Sequence, residues 1–388
     1  MCVDYRALNK ITLKDSTVSP LMSDCLTSNF NGKKWFSKID LRDGFFNVRI
    51  VEKDQHKTAF RTKYGSYEYL VVPFGLTNAP ATFTRMMNRI LGDLVDRYIT
   101  VYVDDILISS YTFEEHKEHV AEVFRRLDEH TLFVKREKCL LFQQEMEFCG
   151  FMLSGTGMRP LVDSKVEVSK ISRPKSVKEV QSFLGSLNYF RQFIPEFASI
   201  SIPLTELTKK NHPWTWTKKQ EDAFVILKSK LLEAPLLRHF DNDRQTIVHT
   251  DASLYAIGGW IGQEYGDAIL HFAYWSRKLN PAETRYPTHE RELMAMVKIF
   301  EKFHHLLIGC DVVAMTDHRA LIRLQTQDTL SHDRAGGSHH CNNTASRSTI
   351  YRVKETTWRT SFPASRYTSR YVLDAQNGWN LKRASMAQ

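Results

Sequence analysis

The feature that most constrains the fold is an acidic pair set between two apolar, β-branched runs. Residues 98–109 read Tyr-Ile-Thr-Val-Tyr-Val-Asp-Asp-Ile-Leu-Ile-Ser, with Asp104 and Asp105 at the centre. Branched apolar residues favour strands, and two strands joined by a short polar stretch form a hairpin. The pattern therefore predicts a β-hairpin whose turn carries both carboxylates.

A third carboxylate, Asp40, follows another strand-like run at residues 35–39. If both segments share one sheet, Asp40, Asp104 and Asp105 come together, and their mutual repulsion is costly unless a cation bridges them. Two carboxylate-held Mg²⁺ ions suit phosphoryl transfer. The alternative is structural, with Asp104 and Asp105 forming only a turn and Asp40 capping a helix.

Bulk properties limit the class of protein. The 388 residues suggest two or three domains, and the net charge of +9 suits a polyanionic partner or an anionic membrane surface. The six cysteines include no Cys-x-x-Cys pair, so neither a disulfide framework nor a zinc ribbon is indicated. No apolar run approaches the ~20 residues that a membrane span needs. We expect a soluble, intracellular protein that is not secreted.

The remaining pattern predicts a chain of the α+β or α/β class with several domains. Helices are expected at residues 80–91, 113–130, 219–232 and 288–304, with another starting at the capping-box sequence Ser176-Val177-Lys178-Glu179. Strands are expected at residues 67–72, 245–249, 269–274 and 312–315. After about residue 332 no helical or strand period is sustained, which favours disorder.

Three motifs occur in order at residues 40–46 (Asp-Leu-Arg-Asp-Gly-Phe-Phe), residues 72–83 (Val-Pro-Phe-Gly-Leu-Thr-Asn-Ala-Pro-Ala-Thr-Phe) and residues 102–105 (Tyr-Val-Asp-Asp). Together they resemble the reverse transcriptases of gypsy-type long-terminal-repeat retrotransposons. The resemblance extends from residue 1 to about residue 330. It implies a polymerase palm with partial fingers and a thumb.

The resemblance also implies roles for individual residues. The metal-binding carboxylates of the palm would be Asp40, Asp104 and Asp105, and the nucleotide would be bound by Leu41, Phe45, Phe74 and Gly75. The ring of Phe45 would exclude a ribose 2′-hydroxyl, although a core aromatic is the alternative. The primer terminus would be gripped by Phe148, Cys149, Gly150 and Phe151, which also fit a short buried strand. Basic residues around the helix of residues 165–193 would track the duplex backbone, unless they form only a solvated face.

A second acidic constellation lies further along the chain. Asp251 follows one strand, Glu292 lies on a helix and Asp317 follows a later strand. This arrangement, with residues 273–279 and 286–293, resembles the RNase H domain that follows gypsy-type polymerases. The resemblance makes these three residues metal ligands for hydrolysis of RNA in a hybrid. Helical geometry does not choose between Glu290 and Glu292, but the Leu-Met-Ala after Glu292 resembles the family.

The expected protein is therefore an RNA-directed DNA polymerase with an RNase H domain. It would use two Mg²⁺ ions per site, with Mn²⁺ as a substitute. Its partners would be an RNA template, a DNA primer, an RNA–DNA hybrid and deoxynucleoside triphosphates, in a cytoplasmic retroelement particle or the nucleus. The expected domains are residues 1–155 (partial fingers and palm), 156–234 (thumb and connection), 235–330 (RNase H-like, incomplete) and 331–388 (an irregular tail, frameshifted or disordered).

Two departures from the family suggest an alternative. The chain starts inside a fingers motif, so the basic residues that hold the triphosphate are expected to precede it. The tail lacks the family's closing acidic motif in this reading frame, and His339-His340-Cys341 within it lacks partners for a zinc site. The alternative is a catalytically impaired remnant that only binds nucleic acid. An unrelated two-domain α/β protein would need both constellations to arise by accident.

Overall fold

The structure is a computed structural model that describes residues 3–17, 22–26 and 30–316, together with the backbone of strands 350–355, 372–374 and 380–382. The chain divides into two compact units, Met1–Met158 and Arg159–Gln388. In the described parts of both units, no helix is long and apolar enough to cross a membrane.

The first unit is built on a four-stranded sheet with helices packed against it. Its helices are α1 (Arg6–Ile11), α2 (Met22–Leu26), α3 (Glu52–Gln55), α4 (Ala79–Leu91) and α5 (Phe113–Glu129). Its strands are β1 (Trp35–Asp40), β2 (Phe60–Thr62), β3 (Gly65–Tyr67), β4 (Ile99–Tyr102), β5 (Asp105–Ser110), β6 (Leu140–Gln143), β7 (Glu145–Phe148), β8 (Phe151–Ser154) and β9 (Gly157–Pro160), which runs to the unit boundary. The main sheet has the order β4-β5-β1-β6.

Helices α4 and α5 bury one face each, because their apolar residues recur every three or four positions. The buried residues of α4 include Phe83, Met87 and Leu91, and those of α5 include Val123 and Leu127. These side chains form one core cluster with the apolar residues of β1 and β5. The start of α5 is fixed by a capping box. This core supports the strands that carry the first acidic constellation.

The second unit has a larger sheet. Its helices are α6 (Val162–Lys170), α7 (Val177–Tyr189), α8 (Phe197–Leu207), α9 (Lys218–Leu232) and α10 (Thr288–Leu307). Its strands are β10 (Thr246–Ala252), β11 (Ala256–Tyr265), β12 (Ala268–Lys278), β13 (Asp311–Thr316), β14 (Ile350–Glu355), β15 (Val372–Asp374) and β16 (Asn380–Lys382), in the order β12-β11-β10-β13-β14-β15-β16.

A parallel pair at the centre of this sheet brings distant segments together. β10 pairs with β13 in parallel, and α10 lies between them in sequence. The apolar face of α10, with Ile299 and Phe300, packs in one cluster with Val248 of β10 and Val312 of β13. The strands and the helix that carry the second acidic constellation therefore share one core.

The tail differs in part from the expectation of irregular structure. β14 pairs with β13 in parallel, and β15 and β16 extend the sheet beyond it. The sequence did not predict these three strands, because the residues after about 332 show no sustained strand period. The other residues of the tail, including His339, His340 and Cys341, lie outside the described residues.

Candidate functional site

The three carboxylates of the first constellation lie at one end of the main sheet of the first unit. Asp40 is the last residue of β1 and Asp105 the first of β5, and they face each other in the antiparallel register of these strands. Asp104 lies in the two-residue turn between β4 and β5, since Tyr102 pairs with Asp105. The predicted hairpin is confirmed, and the structure brings all three residues together.

The turn that carries Asp104 has a strained backbone. Val103 has φ of 54°, in the left-handed region that a β-branched residue rarely adopts. Such a conformation costs on the order of 1–3 kcal/mol and persists only where the surroundings enforce it. Here the apolar strands on both sides enforce it, so Asp104 is held at the tip of a tight turn.

A cavity of about 660 Å³ opens beside this turn. Its lining combines carboxylates, aromatic rings and basic side chains: Asp40, Leu41, Arg42, Asp43, Gly44, Phe45, Phe46, Phe74, Phe83, Asp104, Val134, Lys135, Arg136, Glu137 and Lys138. The sequence analysis predicted four nucleotide-binding residues, Leu41, Phe45, Phe74 and Gly75. The first three of them line this cavity. It is large enough for a nucleotide-sized ligand.

Two lysines neutralise two of the carboxylates. Lys38 Nζ lies 3.1 Å from Asp105 Oδ2, and Lys138 Nζ lies 3.3 Å from Asp40 Oδ2. Burial raises the pKa of Asp105, the Lys38 ammonium opposes that rise, and the carboxylates of Asp104 and Asp40 add to it. The sequence did not reveal these two contacts. Lys38 lies on β1 and Lys138 lies about 100 residues after Asp40, and neither position in the sequence indicates contact with a particular carboxylate.

The arrangement fits a hard divalent cation through two carboxylates. Asp40 and Asp104 face one cavity, and carboxylate oxygens are the ligands such ions prefer. Asp105 instead pairs with Lys38. Among the residues that the structure describes, no group of three or more histidine, cysteine or acidic side chains is arranged to hold a metal. The three predicted carboxylates are thus neighbours, and two of them, Asp40 and Asp105, are each paired with a lysine.

The aromatic floor of the cavity connects it to the core. The ring of Phe45 lies edge-on to Phe74 and to Phe83, with 5.5 Å between centroids in each case. Phe45 packs against the core cluster and also lines the cavity. Both interpretations of Phe45, core aromatic and cavity wall, therefore describe the same position. Phe74 is 54% exposed and presents its ring to the cavity.

The loop that contains Gly75 is held by a residue that the sequence did not single out. Asn9 Nδ2 donates to the carbonyl of Gly75 at 2.7 Å, and Asn9 Oδ1 accepts from the amide of Thr77 at 2.9 Å. Gly75 has φ of 98°, which is accessible to glycine without strain. Helix α1 thus fixes the loop that follows Phe74.

The predicted primer-grip segment is a tight hairpin between β7 and β8. Phe148 and Phe151 pair across the strands and are fully buried. Cys149 and Gly150 both have positive φ, 47° and 73°, as in the type I′ turns of two-residue hairpins. Burial raises the pKa of the Cys149 thiol to about 12, and the charge of Asp105 contributes to the rise.

The second constellation is partly within the described residues. Asp251 lies near the end of β10 and is exposed, while Glu292 on α10 is buried. Glu292 Oε1 accepts from the amide of Ala252 at 3.1 Å, directly beside Asp251. Glu290, two residues earlier on α10, is half-buried. Asp317 follows β13 and lies outside the described residues, although β13 runs parallel to β10.

The basic residues around α7 divide into two groups. The guanidinium of Arg173 lies 5.2 Å from the ring centre of Trp216 and pairs with Glu221. Arg191 donates to the carbonyl of Ser276, and burial lowers the pKa of its guanidinium. The remaining members, which are exposed, are Lys170, Lys175 and Lys178. Part of the predicted phosphate-tracking set therefore has structural contacts within the unit.

Comparisons with known proteins agree with this geometry. Residues 1–153 match the family model described as reverse transcriptase (RNA-dependent DNA polymerase), and residues 216–314 match the RNase H-like domain found in reverse transcriptase. The Tf2-3 and Tf2-7 transposon polyproteins of Schizosaccharomyces pombe are each 35% identical over 332 residues, or 85% of this chain. The chain spans 25% of the length of these curated relatives.

Solved structures extend the similarity to the fold. The foamy viral protease-reverse transcriptase in complex with double-stranded DNA aligns with a TM-score of 0.80 at 27% identity, covering 92% of this chain and 63% of that one. The same viral protein with an RNA/DNA hybrid aligns with a TM-score of 0.74 at 26% identity, covering 94% and 50%. Reverse transcriptase domains and RNase H-like domains generally depend on divalent metal ions. The chain therefore contains a reverse transcriptase domain, matched over residues 1–153, followed by an RNase H-like domain, matched over residues 216–314, and it is similar to segments of gypsy-type retrotransposon polyproteins.

Proposed function

We propose that the first unit catalyses RNA-directed DNA synthesis in the cavity beside Asp104. The observation that carries this proposal is that Asp40 and Asp104 face a cavity walled by Phe45 and Phe74. Carboxylates supply ligands for Mg²⁺, and the aromatic walls supply flat apolar surface for a base and a sugar. A deoxynucleoside triphosphate is the substrate class that needs both.

Each residue of the site has a separate task in this proposal. Asp40 and Asp104 would hold Mg²⁺ or Mn²⁺, two ions per site, with Asp105 joining them when Lys38 releases it. Bound ions would activate the primer 3′-hydroxyl and stabilise the leaving pyrophosphate. The ring of Phe45 would exclude a 2′-hydroxyl. Phe74 and Gly75 would support the base pair, with Leu41 behind them.

The primer end would be held by the hairpin turn of Cys149 and Gly150. This turn is anchored by the buried rings of Phe148 and Phe151, and β7 packs against β1. A rigid turn positions the 3′-hydroxyl without any chemical role of its own. We also propose that residues 156–234 form the thumb and connection, whose exposed lysines contact phosphates.

We infer that the second unit hydrolyses the RNA strand of an RNA–DNA hybrid. Glu292 accepts a hydrogen bond from the amide of Ala252, the residue that follows Asp251, and Asp317 follows the adjacent parallel strand in the sequence. These three carboxylates would hold the metal ions that activate water. We assign Glu292 rather than Glu290, because Glu292 makes the bond beside Asp251.

The partners follow from both activities. We propose an RNA template, a DNA primer, the hybrid that they form, and deoxynucleoside triphosphates. The net charge of +9 supports binding to polyanions. The related viral structures contain double-stranded DNA or an RNA/DNA hybrid.

Primer extension by the full chain with Asp104→Asn tests the polymerase proposal. Loss of extension is expected because a neutral amide holds a divalent ion much more weakly, while template–primer binding should stay intact. Asp93→Asn is the matched control, since Asp93 pairs with Arg126 and does not line the cavity. Extension at the parental rate by the Asp104 variant would refute the assignment.

A second candidate function is binding of nucleic acid without catalysis. The observation that favours it is that Lys38 and Lys138 already neutralise Asp105 and Asp40. If these ion pairs persist, the cavity attracts cations weakly. Tight hybrid binding by the parental chain, with no extension in Mg²⁺ or Mn²⁺, would select this candidate.

A further inference from the structure

An exposed aromatic hairpin lies outside the cavity and has no role in the proposed chemistry. It consists of β2 and β3 (residues 60–67), which pair only with each other among the described strands. Tyr64 is 78% exposed and Tyr67 is 50% exposed. Two large rings on a small, solvated hairpin contribute little to a core, so their surface is available to a ligand.

A series of ring contacts connects this hairpin with the cavity. Phe60 stacks on Tyr67 at 5.9 Å and contacts Tyr69 at 5.4 Å. Tyr69 stacks on Phe46 at 6.4 Å, and Phe46 lies edge-on to Phe74 at 5.4 Å. Phe46 and Phe74 both line the cavity with Asp104. The aromatic surface is therefore continuous from the exposed hairpin to the candidate active site.

The hairpin is also basic and held in shape. Arg61 and Lys63 are both exposed. Lys63 Nζ lies 4.7 Å from the ring centre of Tyr64. Thr62 braces the turn, because its hydroxyl donates to the carbonyl of Gly65 at 3.2 Å and accepts from the amide of Tyr64 at 3.1 Å. The rings and charges are thus presented together on a fixed turn.

We propose that residues 60–67 bind the single-stranded template segment that leads into the cavity. This inference rests on the proposed polymerase function and names the surface that its template uses. Bases stack on Tyr64 and Tyr67, because every base offers an aromatic face, and phosphates lie against Arg61 and Lys63. Stacking with phosphate contacts gives affinity without sequence preference, which suits a template of any sequence.

The test compares two template–primers bound by the full chain, one blunt and one with a single-stranded 5′ template extension. The parental chain should bind the extended form more tightly. The double variant Tyr64→Ala/Tyr67→Ala should lose about tenfold or more in affinity for the extended form, with blunt binding unchanged. Tyr64→Phe/Tyr67→Phe keeps both rings and should bind like the parental chain. Tyr111→Ala, which removes another exposed ring, is the matched control.

Salt dependence tests the charges separately. Each phosphate contact with a single strand contributes about 0.7 to the slope of log affinity against log salt concentration. Arg61→Gln/Lys63→Gln should therefore reduce that slope by about 1.4 for the extended form alone. An unchanged slope would remove the phosphate contacts from the proposal.

Three results would overturn the inference. One is equal binding of the extended form by the alanine variant and the parental chain. Another is a phenylalanine variant as weak as the alanine variant, which would assign binding to the hydroxyls. The third is a change of oligomeric state by light scattering with unchanged template binding, which would make the hairpin a contact with a second copy. Primer extension by the same variants separates this inference from the polymerase proposal. If the hairpin variants extend primers as the parental chain does, only the role of the hairpin is refuted.

Discussion

Acidification should loosen the first unit through one buried histidine. His116 on α5 is fully buried, and its Nε2 lies 2.7 Å from Ser37 Oγ of β1 while its Nδ1 lies 2.8 Å from Ser110 Oγ of β5. Ser110 Oγ also lies 2.8 Å from His119 Nδ1. These bonds tie α5 to the two strands that carry Asp40 and Asp105.

The sign of the effect follows from the pKa. Burial lowers the pKa of His116 to about 4 from the ordinary value of 6.5, and the neighbouring His119 contributes. Burial also lowers the pKa of His119, although Glu115 opposes that change and Lys33 adds to it. Because His116 binds a proton more readily in the unfolded chain, acidification favours unfolding. The contribution of neutral His116 to the free energy of unfolding is complete above about pH 6.5, falls as the pH drops from 6.5 towards 4, and is lost below that.

The magnitude can be worked from the two pKa values. Between pH 7.5 and pH 5.0, a histidine whose pKa falls from 6.5 to about 4 removes about 2 kcal/mol from the free energy of unfolding. His119 adds to this loss in the same direction. The change is a large part of the stability of a typical domain, which is about 5–15 kcal/mol.

Urea unfolding at both pH values measures this loss if the first unit is followed separately. Pulsed hydrogen exchange with mass spectrometry of peptides from α5 provides that separation. His116→Gln should reduce the difference in unfolding free energy between the two pH values by about 2 kcal/mol. His130→Gln, at the exposed end of the same helix, is the control and should leave it unchanged. Equal pH dependence in the parental chain and the His116 variant would refute the reasoning.

Two further predictions concern the sites. Phe45→Val should admit ribonucleotides, because it opens space beside the cavity, and the measurement is the ratio of ribonucleotide to deoxynucleotide incorporation; unchanged discrimination would return Phe45 to a purely structural role. Glu292→Gln should reduce hybrid cleavage by at least about a hundredfold, as expected for loss of a metal-site carboxylate, whereas Glu290→Gln should leave most of it. Cleavage that depends on Glu290 instead would reverse the assignment in the second unit.

Much of the fold around the sites could be predicted from the sequence, because local patterns determined it. The apolar runs on both sides of Asp104 and Asp105 gave the hairpin, and the same reasoning placed Asp40 at the end of a neighbouring strand. The helices at residues 113–130 and 219–232 were predicted to within a few residues, since their apolar positions recur on one face. Strand β11 and helix α8 were missed. β11 contains Gly258, Gly259 and Gly262, and α8 contains Pro203, and such residues usually break the pattern.

Contacts between long side chains from distant elements could not be predicted, and they decide how the polymerase site behaves. Lys138 contacts Asp40 from a position about 100 residues further along the chain, and Lys38 on β1 contacts Asp105 on the neighbouring strand β5. No period encodes these pairs, because they depend on tertiary packing. Their consequence is chemical: a cation bound by all three carboxylates would have to displace both ammonium groups, Lys138 from Asp40 and Lys38 from Asp105. Removing one lysine charge should therefore raise cation affinity at this site, whereas the carboxylate positions themselves are set by the strands.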